Sequence, residues 1–350
     1  MTTDSTSAGN SVRTRRFLSV AAIGALALTA CSPASSEVAD SPAGDGSGAD
    51  SGESVTVEDD HGTHEINVDE VDSIGAFDNR SFRTLEEFGV ELSVAARSLM
   101  DAQTHDYADD EEILDTGSHR EPDLEQIIAA EPDLIIGGQR YSEYYEEIST
   151  LTADAGYDTT VLEFDEVVEN PETLVVGLIE KTQVLGRIFD EEEAAQQITD
   201  DFQTEIDRVK ETYDGQSTVM GLMTSGGDIQ YLAAETGRTI GPLFPALDLV
   251  SAMEQEAEDE SHGDDISVEA IAQADPDWLL VIDRDARIEG DGDDYQPAEE
   301  LIADSPALQE VTAVEEGNIV YTPDNMYLTE DIQAYTEFLG SFADALEASQ

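Results

Sequence analysis

The chain has 350 residues, with 81 acidic side chains against 15 Lys and Arg, and a formal net charge of −66. A nucleic-acid partner needs a basic face to displace counterions, and this composition supplies none, so that class is excluded. Hydrophobic residues make up 39% of the chain and recur with clear periodicity, which excludes wholesale disorder. An acid-coated surface with only two lysines, Lys181 and Lys210, is the composition of a protein made for very high salt, where self-repulsion is screened.

The N-terminus reads as an address. Arg15-Arg16 precede the apolar run Phe17 to Ala30, which is too short to span a bilayer as a stable helix. The run ends in Leu28-Thr29-Ala30-Cys31, a lipobox: small residues before a cysteine that can be lipid-modified. Residues 1–30 are therefore expected to be a signal peptide, of the twin-arginine (Tat) type, and Cys31 the lipid-bearing mature N-terminus. The protein is expected on the extracellular face of the cell membrane. With a single cysteine, no internal disulfide can form. Residues 31–54, rich in Ser, Gly and Asp, read as a flexible acidic tether with a coil reach of about 27 Å.

From Val55 a folded body is expected. Val55 to Val68 reads as two strands around a His-Gly turn. A strand over Val71–Phe77 and a helix over Thr84–Leu92 follow. Thr159–Phe164 reads as another strand. Asn170-Pro171-Glu172 has the form of a helix start, with Asn at the cap and Pro in the first turn, and the periodic pattern runs on to Phe189. A second helix is expected over Glu191–Tyr213. Beyond Asp214-Gly215 a fresh α/β pattern begins, with strands at Ser217–Met223, Ile229–Ala233 and Asn318–Pro323 and a C-terminal helix from about Glu330.

Two segments of this pattern are copies of each other. Leu124–Arg140, LEQIIAAEPDLIIGGQR, lies over Val268–Arg284, VEAIAQADPDWLLVIDR, without a gap. In each, a short helical pattern leads through Pro-Asp into a buried strand that ends in an arginine. The expected architecture is α/β: two lobes, each with a central and mostly parallel sheet, at residues 55–169 and 191–350, joined by one long helix over 170–190. Ligands in open α/β sheets sit beyond the carboxyl ends of the strands. Arg140 and Arg284 both occupy such ends, so lobes that face each other would grip an anion in the cleft from both sides. Arg287 falls outside the strand-end position.

The lipobox, tether, LEQIIAAEPDLII motif and single bridging helix resemble the helical-backbone class of ABC-transporter substrate-binding proteins, the cobalamin, heme and ferric-siderophore binders. The finer match is to binders of iron catecholates of the enterochelin-uptake type. It rests on Arg140 in GGQRYSEYYEEI, Arg238 in IQYLAAETGRTIGPLF, Arg284 in LLVIDRD, His262 in DESHGDDIS and Tyr327 in PDNMYL. The resemblance implies that the three arginines hold an anionic ferric complex, catecholate-type or citrate-like, and that His262 and Tyr327 ligate the iron directly. The acidic stretch around His262 departs from that pattern. The resemblance also implies that Glu125 and Glu269, mates in the repeat, dock into a cognate permease that works with its ATPase. The partners implied are thus the ferric-siderophore, the transporter and, through the lipid, the membrane. Iron arrives as ligand, with no intrinsic cofactor, and the protein is expected to be a monomer.

Guanidinium groups suit such a ligand because they present forked donors to many oxygens and stay charged. Fe(III) is hard and favours oxygen donors, so a tyrosine phenolate fits it. His61 and His64 have metal-like spacing but flank the predicted turn, and His105 and His119 are isolated. Tyr141, Tyr144 and Tyr145 fall at helical spacing, where they either cover an aromatic ligand or pack into the core. The sequence carries no nucleophilic triad, Gly-rich phosphate loop or zinc-hydrolase motif, which points to binding and delivery rather than catalysis. Cobalamin or heme as ligand is the alternative within the same class. A metal-dependent surface enzyme is the alternative from another.

Overall fold

The computed structural model describes residues 54–255, 263–264, 266–288 and 295–350. The signal segment, Cys31, the tether as far as residue 53, and His262 lie outside the described residues. β1 (Ser54–Asp59) and β2 (Gly62–Asn67) form the expected antiparallel hairpin. Its turn is held by Asp59, whose carboxylate accepts the backbone N–H groups of His61 and Gly62 at 2.9 and 3.0 Å.

The first lobe is built on β3 (Ile74–Ala76), β4 (Val94–Ala95), β5 (Leu114–Asp115), β6 (Leu134–Ile136) and β7 (Thr160–Leu162). All pair parallel, in the order β5-β4-β3-β6-β7. A parallel sheet is covered on both faces, and β3 and β6 are accordingly buried at every residue. β4 and β5 have two residues each, too few to write an apolar run into the sequence.

The second lobe uses β8 (Thr218–Ser225), β9 (Asp228–Leu232), β10 (Val250–Ser251), β11 (Trp278–Asp283) and β12 (Ile319–Tyr321). The parallel order is β10-β8-β11-β12, and β9 folds back antiparallel on β8. The two-residue turn between them, Gly226-Gly227, has φ +60° and +85°, which glycine adopts without strain. Alternate strand residues feed two apolar layers. Val219, Met223, Leu280, Ile282 and Val320 join Phe338, Leu339 and Phe342 of the C-terminal helix Ile332–Ala348. Met220, Leu222, Leu279 and Val281 join Ile271, Ile302 and Leu308.

The lobes are connected by the helix Leu174–Ile188, followed by Glu192–Thr212. The expected start at Asn170 is not the observed one. Asn170 to Thr173 form a turn instead: the Asn170 side chain accepts the Glu172 N–H, and the Thr173 hydroxyl donates to the Val167 carbonyl. The short preceding helix Asp165–Glu169 claims the residues just upstream, so the long helix begins one turn later.

The repeat has a physical basis. The helices Glu125–Ala130 and Val268–Ala274 each end on a left-handed residue, Glu131 at φ +49° and Asp275 at φ +48°. The aspartate of each Pro-Asp then ties down the start of a neighbouring strand. Asp133 accepts from the Asp72 and Ser73 N–H groups, both at 2.9 Å, and Asp277 from the Thr218 N–H and hydroxyl at 2.7 and 2.9 Å. The same helix–staple–strand unit is used once in each lobe.

Candidate functional site

Arg140 follows β6 through Gly137-Gly138. Gly138 has φ +131°, and the Asp165 carboxylate accepts the N–H of the next residue, Gln139, at 2.6 Å. Arg284 follows β11, donating to the Ser225 hydroxyl at 3.1 Å and the Asp285 carboxylate at 2.8 Å. Ser225 ends β8, where the strand order of the second sheet reverses, the place where open α/β sheets bind ligands. Arg238 sits in the loop after β9. That loop is folded so tightly that a Cβ on Gly237 would meet the Ala233 nitrogen at 2.6 Å.

The three arginines converge on one aromatic ring. Their guanidinium carbons lie 5.9 Å (Arg140), 4.2 Å (Arg238) and 5.3 Å (Arg284) from the centroid of Tyr327, which is buried. These are cation–π distances. Tyr327 opens the segment that both lobes grip. Arg140 donates to the carbonyls of Leu328 and Tyr327, both at 3.2 Å, and Arg238 donates to the Tyr327 carbonyl at 3.3 Å. Asn79 of the first lobe donates to the carbonyls of Leu328 and Thr329 at 2.8 and 3.1 Å.

The arginines differ in their partners. Arg238 forks onto the Glu330 carboxylate through Nε at 3.0 Å and Nη2 at 2.9 Å. Burial works against the Arg238 charge, but Glu330 more than offsets it and raises its pKa. Burial opposes the Arg284 charge too, and there Tyr327 and Asp285 offset it. Among the described residues Arg140 donates only to carbonyl oxygens; burial and the neighbouring Arg238 push its pKa down. Glu330 is itself buried, and although burial disfavours its charge, Arg238 and Arg80 hold its pKa at about 2. It also accepts from the Thr239 hydroxyl at 2.6 Å and the Gln139 amide at 3.3 Å, and Arg80 stands 3.7 Å away. A cavity of about 200 Å³ opens beside this knot, lined by Arg80, Glu169, Glu235, Arg238 and Glu330 among others; Arg140, Arg284 and Tyr327 do not line it.

Arg80 and Glu330 were not singled out from the sequence. Arg80 lies four residues past the end of β3, so the strand-end rule that marked Arg140 applies to it as well. Nothing local marks Glu330. Arg287 stays out of the cluster but is not idle: it reaches across to the first lobe, donating to Gln103 at 2.6 Å with Asp101 at 3.6 Å, and stands 3.5 Å from Asp324.

Tyr141 is buried in the first-lobe core, stacked on Phe77 at 5.0 Å and bonded to Thr116 at 2.7 Å. Tyr144 donates to the His119 carbonyl at 2.8 Å, and Tyr145 stacks on His61. His61 pairs with Glu163 and His64 with Asp59. Among the described residues no three His, Cys, Asp or Glu side chains are arranged to hold a metal ion. His105 is buried in the first lobe. Glu125 and Glu269 are both exposed in the first turns of their helices. Trp278 opens β11, at the opposite end of the strand from Arg284, and packs on Phe342.

Comparison with known proteins agrees with this architecture. The family described as periplasmic binding protein matches residues 74–326. The petrobactin-binding protein YclQ of Bacillus subtilis is 26% identical over 277 residues, covering 77% of this chain and 81% of that protein. The ferric-anguibactin-binding protein FatB of Vibrio anguillarum is 27% identical over 259 residues, 73% of this chain and 76% of that one. Among solved structures, the siderophore-binding protein BauB, bound to two acinetobactin molecules and ferric iron, superposes with a TM-score of 0.71 at 21% identity, covering 84% of this chain and 99% of BauB. The chain therefore belongs to the periplasmic binding protein family, whose members are solute-binding proteins.

Proposed function

We propose that this protein is the solute-binding component of an ABC importer that captures an anionic ferric-siderophore complex between its lobes and hands it to the permease. One observation carries the reading: guanidinium groups from both lobes, Arg140 from the first and Arg238 and Arg284 from the second, surround a single tyrosine ring. Relatives named for petrobactin and ferric anguibactin support the ligand class. Tyr327 and His262 are the candidates for direct iron ligation, Glu125 and Glu269 for permease docking. In this reading residues 1–30 direct export, by the Tat route, and Cys31 carries the lipid that holds the protein at the extracellular membrane face. The tether 31–54 separates that anchor from two lobes, 55–169 and 191–350, joined through 170–190. The protein acts as a monomer, binds without catalysing, and serves a halophilic cell.

The test is equilibrium dialysis of the purified protein in molar salt against coloured ferric complexes, catecholate-type and citrate, with heme and cobalamin alongside. A charge-assisted hydrogen bond contributes about 1.5–3 kcal/mol, so Arg140→Ala is expected to weaken ferric binding roughly ten- to a hundred-fold. Retention of cobalamin or heme in place of every ferric complex would overturn the reading.

A further inference from the structure

We propose that the cleft accepts ferric complexes of one or two net negative charges in preference to the trianion, and that Glu330 is the residue that sets this limit. The proposal rests on the ferric-siderophore reading and concerns which members of that ligand class bind.

The argument is a charge count at contact distance. Three arginines surround Tyr327, but two of them already hold a carboxylate: Arg238 through a two-pronged contact with Glu330, and Arg284 at 2.8 Å from Asp285. Arg140 alone touches no carboxylate among the described residues, its donors going to the Leu328 and Tyr327 carbonyls. The cluster thus offers close to one unmatched positive charge. Arg80, behind Glu330, does not change the count, because Asp165 and Glu169 stand within 3.4 Å of it. A trianionic ferric tris-catecholate would bring two more negative charges than this space can match. Like charges in a poorly screened cleft are costly: at roughly 8 Å and an effective dielectric of about 20, one unmatched pair weakens binding on the order of thirty-fold.

The placement of Glu330 is built rather than incidental. It is 4% exposed and takes a left-handed backbone, φ +45°, between the segment that carries Tyr327 and the C-terminal helix. The side chains that orient it come from two other left-handed residues, Gln139 at φ +50° and Thr239 at φ +64°. A β-branched residue in that region is strained, and such strain persists only where the surroundings impose it. Gln139 and Thr239 are the immediate neighbours of Arg140 and Arg238. The two loops that present these arginines, one from each lobe, therefore also clamp the carboxylate that reduces their combined charge. A cleft selected only for the strongest anion would gain from an amide or an alcohol at position 330.

The experiment is a charge series of ferric complexes offered to the full-length protein at one fixed salt concentration. Replacing each catecholate of a hexadentate ligand by a hydroxamate removes one negative charge, giving a trianion, a dianion, a monoanion and a neutral complex of similar size. Affinity is expected to peak at the monoanion or dianion, at least ten-fold above the trianion. Glu330→Gln is expected to move the preference one step toward negative charge, raising the trianion-to-monoanion affinity ratio ten-fold or more. Asp285→Asn removes a carboxylate from Arg284 and is expected to shift the ratio in the same direction, which keeps the question open to decision if Glu330→Gln does not fold. A wild-type protein that holds the trianion most tightly, or a ratio unmoved in the folded variants, overturns the inference while leaving the ferric-siderophore function standing. If no ferric complex is retained, the function fails and the inference falls with it.

Discussion

Removing Arg140 and removing Arg238 have unequal consequences for stability, though both guanidinium groups stand over the Tyr327 ring. Arg238→Ala strips Glu330 of its two-pronged partner and leaves a buried carboxylate with Thr239, Gln139 and a more distant Arg80. Breaking a buried ion pair costs about 3–5 kcal/mol because the survivor stays uncompensated, and Arg80 keeps the loss near the low end. At about 1.6 °C per kcal/mol for a folded body of roughly 300 residues, that lowers Tm by about 5 °C. Arg140→Ala gives up two hydrogen bonds to carbonyls, each contributing about 1 kcal/mol. It also relieves the cost, of similar size, of a half-buried cation that no carboxylate among the described residues touches and that Arg238 repels. The net change is expected within about 1 kcal/mol. The assay is thermal unfolding by circular dichroism, all variants in the same molar salt, with Glu330→Ala and the Arg238→Ala/Glu330→Ala double variant completing a cycle. The double variant should be more stable than Arg238→Ala alone, and the cycle should give a coupling of roughly 2 kcal/mol. If Arg140→Ala melts as low as Arg238→Ala, or removing Glu330 recovers nothing, the assignment of partners in the cleft is wrong.

Lys181, on the bridging helix, is buried against Asp78, which burial opposes but Lys181 and Arg80 hold below the usual carboxylate range; Lys181→Met should cost roughly 3–5 kcal/mol by urea unfolding, and Lys181→Met with Asp78→Asn clearly less. His105, 2% exposed, has no hydrogen-bond partner at either ring nitrogen among the described residues, although the Glu86 carboxylate stands 3.6 Å from Nδ1, and burial holds its pKa down at about 4. The unfolded chain binds that proton first, near pH 6.5, so His105 is expected to withdraw up to about 3 kcal/mol of stability as pH falls from 6.5 toward 4; a His105→Leu variant that shows the same acid slope as wild type would refute this. With a net charge of −66, the protein should lose melting temperature between molar and millimolar salt. Cys31→Ser should release it from the membrane fraction or leave it unprocessed, as read by fractionation.

The repeat was legible because its own residues are consecutive: a helix closed by a left-handed residue, a Pro-Asp and a buried strand are written in seventeen positions in both copies. The strand starts that the two aspartates staple, Asp72-Ser73 and Thr218, lie far upstream and were not legible in it. Arg140 and Arg284 came with the repeat, while Arg238 came only through the family resemblance. What the sequence hid is what depends on distant residues meeting. Glu330 has no local signature; its role exists only because residues 139, 238 and 239 arrive around it. Arg80 obeyed the strand-end rule but had no repeat mate to draw notice. The Asn170 cap was sound as local chemistry, yet the helix Asp165–Glu169 took up the space in which a longer helix would have started. Tyr141, a candidate to cover a ligand, was claimed by Phe77 and Thr116 in the core.

The groups that would hold a ligand also hold the lobes together. Arg140 and Asn79 of the first lobe bond to main-chain carbonyls at Tyr327 to Thr329 in the second, Gln139 reaches Glu330, and Arg287 reaches back to Gln103. The Arg140 contacts cannot be kept in full by donors that turn to a ligand. In the proposed binding mode capture would be an exchange, in which oxygens of the complex replace carbonyl oxygens at Arg140, and the affinity would be lower than the gross contact energy by the cost of the contacts given up. Asn79 bonds main-chain carbonyls and Arg287 pairs with Gln103, Asp101 and Asp324, so their contacts are expected to survive that exchange and keep the lobes in register. The division of labour is testable by association kinetics. Arg287→Ala loosens the lobes without touching the arginine cluster, and is expected to change the rate at which ligand enters and leaves while altering the affinity less than Arg140→Ala does. An affinity loss from Arg287→Ala equal to that from Arg140→Ala would mean that the strap across the lobes and the ligand site are one and the same.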